Sequence, residues 1–451
     1  MDYIIYFAIT IAILVFVHEF GHFAAAKLSG MRADIFAIGF GKRLLGWNKI
    51  SGFSFGELPK DFDGQGHTDY RLCLLPLGGY VKIAGMVDES FDTNSLNQPP
   101  QPYEFRSKSL PRKVFVITAG VLMNLLLAWL IFWGANFFQE KEYWKTTTIS
   151  EVLPGSLADS LGFKSNDKIL SINNSKVTNW QEVSDAIYIS TIGDDVTVEV
   201  KRNSENILVD IPRNKIPEQP HKILLVPVGI TLASIDSVIS NAPADKAGIM
   251  PGDILLSIDN SPIRLRQQAT EIISSNANKL LPITVKRGQD TLNLSVKPGE
   301  DGTIGVFILQ SYTGPVEYKT HSFFESFMLS WQEITRMTEL TFKMFGKVIS
   351  GKVEFGKAFG GPIKIAQFAA KSADSGILSF LYFLALLSLS LAILNIMPFP
   401  VLDGGHLVII LIESIIRKEI PIKVKVAIQN VGFVLLLILM AFILYNDILS
   451  I

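Results

Sequence analysis

The chain has 451 residues, 41 Lys plus Arg against 42 Asp plus Glu, a formal net charge of −1, and 48 % hydrophobic residues. That balance excludes an electrostatic case for nucleic acid, which needs a strongly basic face. A single cysteine, Cys73, excludes an intrachain disulfide and a cysteine-built metal cluster, and the length suits several domains, part membrane and part soluble.

The first element is an apolar run. From Tyr3 to Val17 only Thr10 is neither apolar nor aromatic, and Phe23 to Ala26 continue it. The chain opens Met1-Asp2 without a basic n-region, and the run is longer than a signal-peptide core, so a retained membrane helix is expected over 1–27. Inside it lies His18-Glu19-Phe20-Gly21-His22, an H-E-x-x-H motif. Two imidazoles and a carboxylate are costly in hydrocarbon, so in a spanning helix they are functional candidates by default. Residues i and i+4 stand about 40° apart on a helix, so His18 and His22 can offer two nitrogens to one Zn²⁺. Glu19, roughly 100° round from His18, is the candidate general base for a zinc-activated water. A catalytic zinc takes three protein ligands and keeps one position open, so a third ligand must come from elsewhere.

Three further segments reach spanning length, about 20 apolar residues: 114–138, 376–397 and 426–445. Residues 27–113 carry twelve Lys or Arg, and the 398–425 connection carries Arg417, Lys418, Lys423 and Lys425. The positive-inside rule then places 28–113 and 398–425 in the cytoplasm, with both termini and the large 139–375 region outside.

The outer region contains a repeat. Ala158-Asp-Ser-Leu-Gly-Phe-Lys-Ser-Asn-Asp-Lys-Ile-Leu-Ser-Ile aligns with Ala244-Asp-Lys-Ala-Gly-Ile-Met-Pro-Gly-Asp-Ile-Leu-Leu-Ser-Ile. Each copy reads as a short helix, a turn, an aspartate and an alternating strand. The pattern resembles PDZ domains of the circularly permuted bacterial kind, with copies expected at 143–232 and 233–312. Copy one departs at Asn166-Asp167, where copy two has Gly252-Asp253. PDZ modules hold an extended peptide along a sheet edge, which makes Val228-Gly229-Ile230 and Ile304-Gly305-Val306 candidate groove strands and Gly229 and Gly305 candidate substrate contacts. The alternative is that the modules limit access by bulk. Downstream, Phe324, Phe327, Trp331 and Ile334 recur at helical spacing, so 322–350 is expected as an amphipathic helix at the membrane surface, or with its apolar face on the PDZ modules.

At the cytoplasmic end of the third span stands Asn395-Ile-Met-Pro398-Phe-Pro400-Val-Leu402-Asp403-Gly404-Gly405. The prolines break the helix and the glycines permit a tight turn, so Asp403 can point inward from unwound backbone at the depth of His18 and His22. Such backbone is tolerated in a membrane only where it is buried or lines a wet cavity. Asp403 is the expected third ligand, with His406 as the competitor.

The paired motifs and the PDZ-bearing insertion between them are similar to the site-2 protease family, zinc intramembrane metalloproteases, in its form with four spans and two PDZ modules. The resemblance covers essentially the whole chain. It implies a polytopic α-helical membrane protein of four transmembrane helices, with a cytoplasmic membrane-associated β-hairpin region and two periplasmic PDZ domains (α+β), in a bacterial inner membrane. It implies Zn²⁺ on His18, His22 and Asp403, and Glu19 as catalytic base. The implied activity is cleavage of transmembrane segments in single-span substrates: an anti-sigma factor already cut by another protease, and signal-peptide remnants. Asn395 resembles the family asparagine that engages substrate or the transition state. Asn124 in the second span reads more readily as a helix–helix contact, and Gly120-Val121 stands where the family has a Gly-Pro element. Gly39-Phe40-Gly41 matches a family G-x-G element. The stretch Leu72 to Ile83, with Gly78-Gly79 as its turn, corresponds to a hairpin that dips into the membrane beside the active site, and so to a substrate contact.

Two other functions compete. A catalytically silent PDZ scaffold predicts loss of one of His18, Glu19, His22 or Asp403, yet all four stand in the chain. An ion transporter would show paired broken helices in repeated halves, and the spans carry no such symmetry.

Overall fold

Helices of spanning length dominate one part of the chain, and short strands the other. The computed structural model describes residues 2–59, 62–86, 99–152, 154–190, 194–216, 224–353, 356 and 360–449. It divides into one unit of residues 1–140 and 320–451 and a second of residues 141–319.

Four helices of the first unit are long and apolar enough to cross a membrane: α1 (Asp2–Leu28), α2 (Leu110–Phe138), and two later ones, Ile377–Ile396 and Ile422–Leu449. α2 packs between α1 and the third of these. The α1–α2 crossing is close because Gly21 lies against the backbone of α2: a Cβ there would sit 2.5 Å from the Ala119 carbonyl oxygen. Small residues at such a crossing let membrane helices approach without a hydrophobic driving force.

Between α1 and α2 runs a sheet of β1 (Ala33–Asn48), β2 (Gly52–Phe55) and β3 (Asp69–Ile83), in the order β2-β1-β3. Gly39 and Gly41 both take positive φ (86° and 84°) and bend β1. The register shows the result: Ile38 faces both Gly79 and Leu72, while Leu45 faces Leu72 and Trp47 faces Tyr70. Residues 70–72 therefore lie between the two halves of β1, and residues 79–83 lie outside its first half. The expected Gly78-Gly79 turn is only half realised. Gly78 has φ 109°, but Gly79 belongs to the outer strand opposite Ile38.

The second unit opens and closes with a two-stranded ribbon, β4 (Lys141–Trp144) against a strand at Val316–Lys319. Inside it are two modules of one plan. In the first, α3 (Leu157–Ser160) precedes β5 (Lys168–Ile172) and β6 (Ser175–Lys176), then α4 (Trp180–Asp185), β7 (Val196–Arg202) and β8 (Glu205–Ile211), with sheet order β6-β5-β7-β8. In the second, β9 (Ser234–Val238) leads to α5 (Pro243–Lys246), β10 (Ile254–Ile258), β11 (Ser261–Pro262), α6 (Arg266–Ser274), β12 (Leu281–Arg287), β13 (Asp290–Val296) and β14 (Val306–Leu309). Its sheet order is β13-β12-β10-β9-β14, and β15 is the ribbon strand Val316–Lys319. Each module has its own core, around Phe163, Ile169 and Val198 in the first and Ile235, Leu255 and Ile283 in the second.

Back in the first unit, α7 (Phe323–Ile349) begins at Ser322, whose side chain accepts the Glu325 N–H. It packs on α2 and the third apolar helix. Its buried line is Ser326, Ser330 and Ile334. Two polar side chains of the helix have partners on the spans: Asn136 Nδ2 donates to Ser330 Oγ at 3.2 Å, and the Tyr382 hydroxyl donates to Glu333. The helix moment alone does not reveal that neighbouring spans supply such partners. A helix not foreseen in the sequence, α8 (Pro362–Asp374), packs on α1; α9 is the third apolar helix (Ile377–Ile396), α10 runs Asp403–Ile416, and α11 is the fourth apolar helix (Ile422–Leu449).

Candidate metal centre

Three residues from two distant parts of the chain converge. His18 Nε2 lies 3.3 Å and His22 Nε2 3.4 Å from Asp403 Oδ2, and the two Nε2 atoms are 3.2 Å apart. α1 supplies both imidazoles from one face. Asp403 comes from the first turn of α10, just after the third apolar helix stops at Ile396.

The local sequence explains that placement. Pro398 and Pro400 cannot continue the helix, and Val401 takes φ 80°, a strained conformation for a β-branched residue. Gly404 and Gly405 were expected to serve a turn. They lie instead in the first turn of α10, and what requires glycine is close approach. A Cβ on Gly404 would run into the Ile396 and Met397 carbonyls, and one on Gly405 into that of Phe399.

The residues behind the histidines orient them. His22 Nδ1 is 2.8 Å from the Val116 carbonyl oxygen, which can only accept, so Nδ1 carries the hydrogen and the neutral ring turns an Nε2 lone pair inward. Asn124, fully buried on α2, has Nδ2 3.2 Å from His18 Nδ1, while its Oδ1 has no hydrogen-bond partner. Of the amide's two near-isosteric orientations, the one that sets Oδ1 on His18 Nδ1 lets that oxygen accept the ring N–H. It also leaves His18 Nε2 unprotonated. Ser388 on α9 donates to the Asn124 backbone oxygen at 2.8 Å, fixing α2 against the helix that leads to Asp403.

Asp403 Oδ2 is buried without a hydrogen-bond donor. Three lone-pair donors thus face one another across 3.2–3.4 Å, an arrangement that is repulsive unless a cation sits among them. For metal–donor distances of 2.0–2.2 Å, the edge of a tetrahedral site is about 3.3–3.6 Å. The donor set fits zinc.

Glu19, the residue between the ligand positions, is half-buried on α1. The outer strand of the sheet lies against it: a Cβ on Gly79 would stand 3.1 Å from Glu19 Cγ and 2.9 Å from Val15. Gly78 is one residue further, against the Phe40 ring. Asn395 Nδ2 is 3.4 Å from His18 Nε2, so its amide reaches the same small space. His406 is not in the cluster, and its ring meets Gln429 on α11.

Comparison with known proteins follows the same lines. The profile of peptidase family M50 matches residues 6–439. The chain belongs to that family. It is a metalloprotease. A Neisseria meningitidis protein named as a candidate zinc metalloprotease is 31 % identical over 99 % of both chains. Protease RseP of Yersinia pestis is 30 % identical, covering 98 % of this chain and 97 % of its own. The regulator of sigma-E protease RseP of Escherichia coli is 28 % identical over the same shares. Among solved structures, the PDZ domain of an SdrC-like protein from Listeria monocytogenes matches 17 % of this chain and 87 % of its own at 23 % identity. Its TM-score of 0.16 is too low to carry an argument.

The remaining sequence candidates lie in the second unit. Of Val228-Gly229-Ile230, Val228 pairs with the start of the first module, its N–H donating to the Thr148 carbonyl at 2.9 Å, and Ile230 bridges Tyr312. Gly229 sits in a turn with φ 101°, its carbonyl accepting from Thr313 N–H at 2.8 Å. The backbone facing the start of the first module is nearer Pro227, which bridges Ile149, with Ser150 N–H donating to the Val226 carbonyl. The sequence could not show that offset, because the motif on which the alignment rests ends well before it. Gly305, φ 74°, immediately precedes β14, the outer strand paired with β9.

Sequence reasoning underrated two residues and missed a third kind. Asn124 orients His18. At Gly120 a Cβ would collide with the His22 and His18 rings, so only glycine lets α2 back both imidazoles. A small residue four positions before a buried asparagine was the available signal. Val116 acts through its backbone carbonyl, which no residue type announces.

Proposed function

We propose that the protein is a zinc endopeptidase that cuts transmembrane segments of single-span membrane proteins, with His18, His22 and Asp403 holding Zn²⁺. The observation that carries this reading is the triangle of inward lone pairs from α1 and α10, set within helices apolar enough to span a bilayer. When bound, zinc would supply Lewis acidity, making water more acidic and polarising a carbonyl. Glu19 takes the proton from the attacking water and returns it to the leaving amine nitrogen. The Asn395 amide donates to the carbonyl oxygen as charge develops on it, a contribution typically worth about 10²–10³ in rate. Gly78 and Gly79 allow the outer strand close to Glu19, where an unwound substrate segment would add as a further strand.

By the distribution of Lys and Arg, residues 28–113 and 398–425 are cytoplasmic, and the termini and the two circularly permuted PDZ domains are periplasmic, in a bacterial inner membrane. The edge at Gly305 and β14 is the PDZ peptide site this reading favours. Named relatives regulate sigma-E, so an anti-sigma factor already shortened by another protease is the proposed substrate, with signal-peptide remnants as a second class.

The test is incubation of purified enzyme with membrane-embedded single-span substrates, with and without a zinc chelator, and mass mapping of products. Cleavage within the apolar segment that chelator abolishes and zinc restores is the expected result. A protein that binds these substrates but never cuts them is the silent scaffold, and the proposal is then wrong.

A further inference from the structure

The fourth apolar helix, α11, supplies none of the three converging donors, yet it carries a buried glutamine. Gln429 is 5 % exposed, while Val424, Val431 and Phe433 around it are exposed. An amide buried in a spanning helix needs a reason. Its Nε2 lies 3.1 Å from His406 Nε2, and its Oε1 has no hydrogen-bond partner.

The contact is the middle rung of three. Lys425 Nζ is 2.6 Å from Glu413 Oε1, Gln429 meets His406, and a Cβ on Gly432 would collide with Pro400. Positions 425, 429 and 432 follow i, i+4, i+7, one face of a helix. Their partners at 413, 406 and 400 run the opposite way, along α10 and into the loop before it. His406 is three residues beyond Asp403, so the middle rung lies one turn from the carboxylate. The prolines and the left-handed Val401 interrupt the helical hydrogen bonding between α9 and α10. The rotation of α10 about its axis is therefore not inherited from α9 and is set by lateral contacts, with α2 on one side and with α11 through Gln429 on another.

We infer that Gln429 is a positioning residue for Asp403, acting through His406. The inference rests on the proposal that Asp403 is a zinc ligand, and it gives the fourth span and His406 a role in that site. Partners one step removed from a metal ligand typically change metal affinity or activity by about 10–100-fold when lost.

The test uses the full chain, purified and reconstituted. Zinc affinity is measured by competition with a chromogenic chelator, and kcat and KM separately on a single-span substrate. Gln429→Leu is expected to weaken zinc binding and lower kcat by about 10–100-fold, with KM within about twofold. Turned so that Oε1 meets the ring, the Gln429 amide accepts a His406 N–H; Gln429→Glu supplies that acceptor and is expected to recover most of both. His406→Ala combined with Gln429→Leu is expected to be no worse than either alone, because the two act as one contact. Should Gln429→Leu fail to accumulate, Gln429→Met and His406→Ala carry the same readouts. If the Gln429 variants hold zinc and kcat within about twofold while Asp403→Ala loses zinc, the positioning role is overturned and the zinc site stands. If Asp403→Ala keeps zinc, the underlying site assignment fails instead, and the inference falls with it.

Discussion

Asp253 is fully buried and Asp403 half-buried with its Oδ2 out of solvent, and the two carboxylates are surrounded in opposite ways. Asp253, with its side chain fully buried, is saturated. Arg287 donates Nε and Nη2 to its two oxygens at 2.7 and 2.8 Å, and the Met250 N–H donates at 2.9 Å. Arg287 Nη2 also reaches the Gly248 carbonyl. The first module repeats the arrangement, with Asp167 held by Arg202 and the Lys164 N–H, and Arg202 on the Gly162 carbonyl. Asp403 has no such donor for Oδ2 and faces two imidazoles. A buried acid with all its lone pairs satisfied is a structural tie. An acid oxygen that faces the ring nitrogens of two imidazoles is suited to share a cation with them.

The comparison fails most visibly if the wrong acid proves essential. Asp403→Ala should remove zinc and reduce cleavage to background, whereas Glu19→Gln should retain zinc and lose about 10²–10⁴ in rate; metal content and single-turnover cleavage check both. Retained zinc in Asp403→Ala would dissolve the distinction. Gly120→Ala should be next, displacing the imidazoles it backs and weakening zinc by about 10-fold or more, read by chelator competition, with the fold intact by helical circular dichroism.

Asp253→Asn should leave zinc untouched and destabilise the second module, lowering its thermal midpoint by roughly 4–8 °C. Hydrogen exchange across 234–296 of the full chain would locate the loss. Burial alone would raise the Asp253 carboxyl, but Arg287 and the Met250 N–H outweigh it and hold the group below its ordinary value. The unfolded chain therefore binds the proton first as acid is added. The stabilisation is complete above the ordinary Asp value of about 3.9 and is lost as pH falls through the lower folded value. Asp253→Asn should flatten that acid limb, seen as a smaller drop in midpoint between neutral and acidic buffer. Smallest of all, Asn166→Gly should change stability by a few tenths of a kcal/mol, about what exchange of a tolerated left-handed residue costs. A large loss would mean that the two modules turn differently there.

That last pair shows how the repeat was legible despite its irregularity. Asn166 has φ 68° and Gly252 φ 88°, and asparagine is the residue other than glycine that most readily takes this conformation. The metal-site pattern was equally legible, since His18 and His22 follow from helix geometry. The strand pairing that closes the first module was not, because a loop of unmatched length places it at 226–228, short of Gly229. Nor were Arg202 and Arg287 foreseen as partners of the repeat aspartates, since each joins its partner across 34–35 positions of intervening sheet.

Covalent order and residue type alone determined four apolar segments, one face bearing two histidines, a broken helix ending in aspartate, and a duplicated module. Those follow from local rules of period, burial cost and turn chemistry, which act over a few neighbouring residues. Tertiary structure decided that His18, Asp403 and Asn124 meet, that glycine at 21 and 120 sets how near α1 and α2 come, and that Gln429 reaches His406. Such meetings depend on how whole helices pack, and no local rule carries information across nearly four hundred residues.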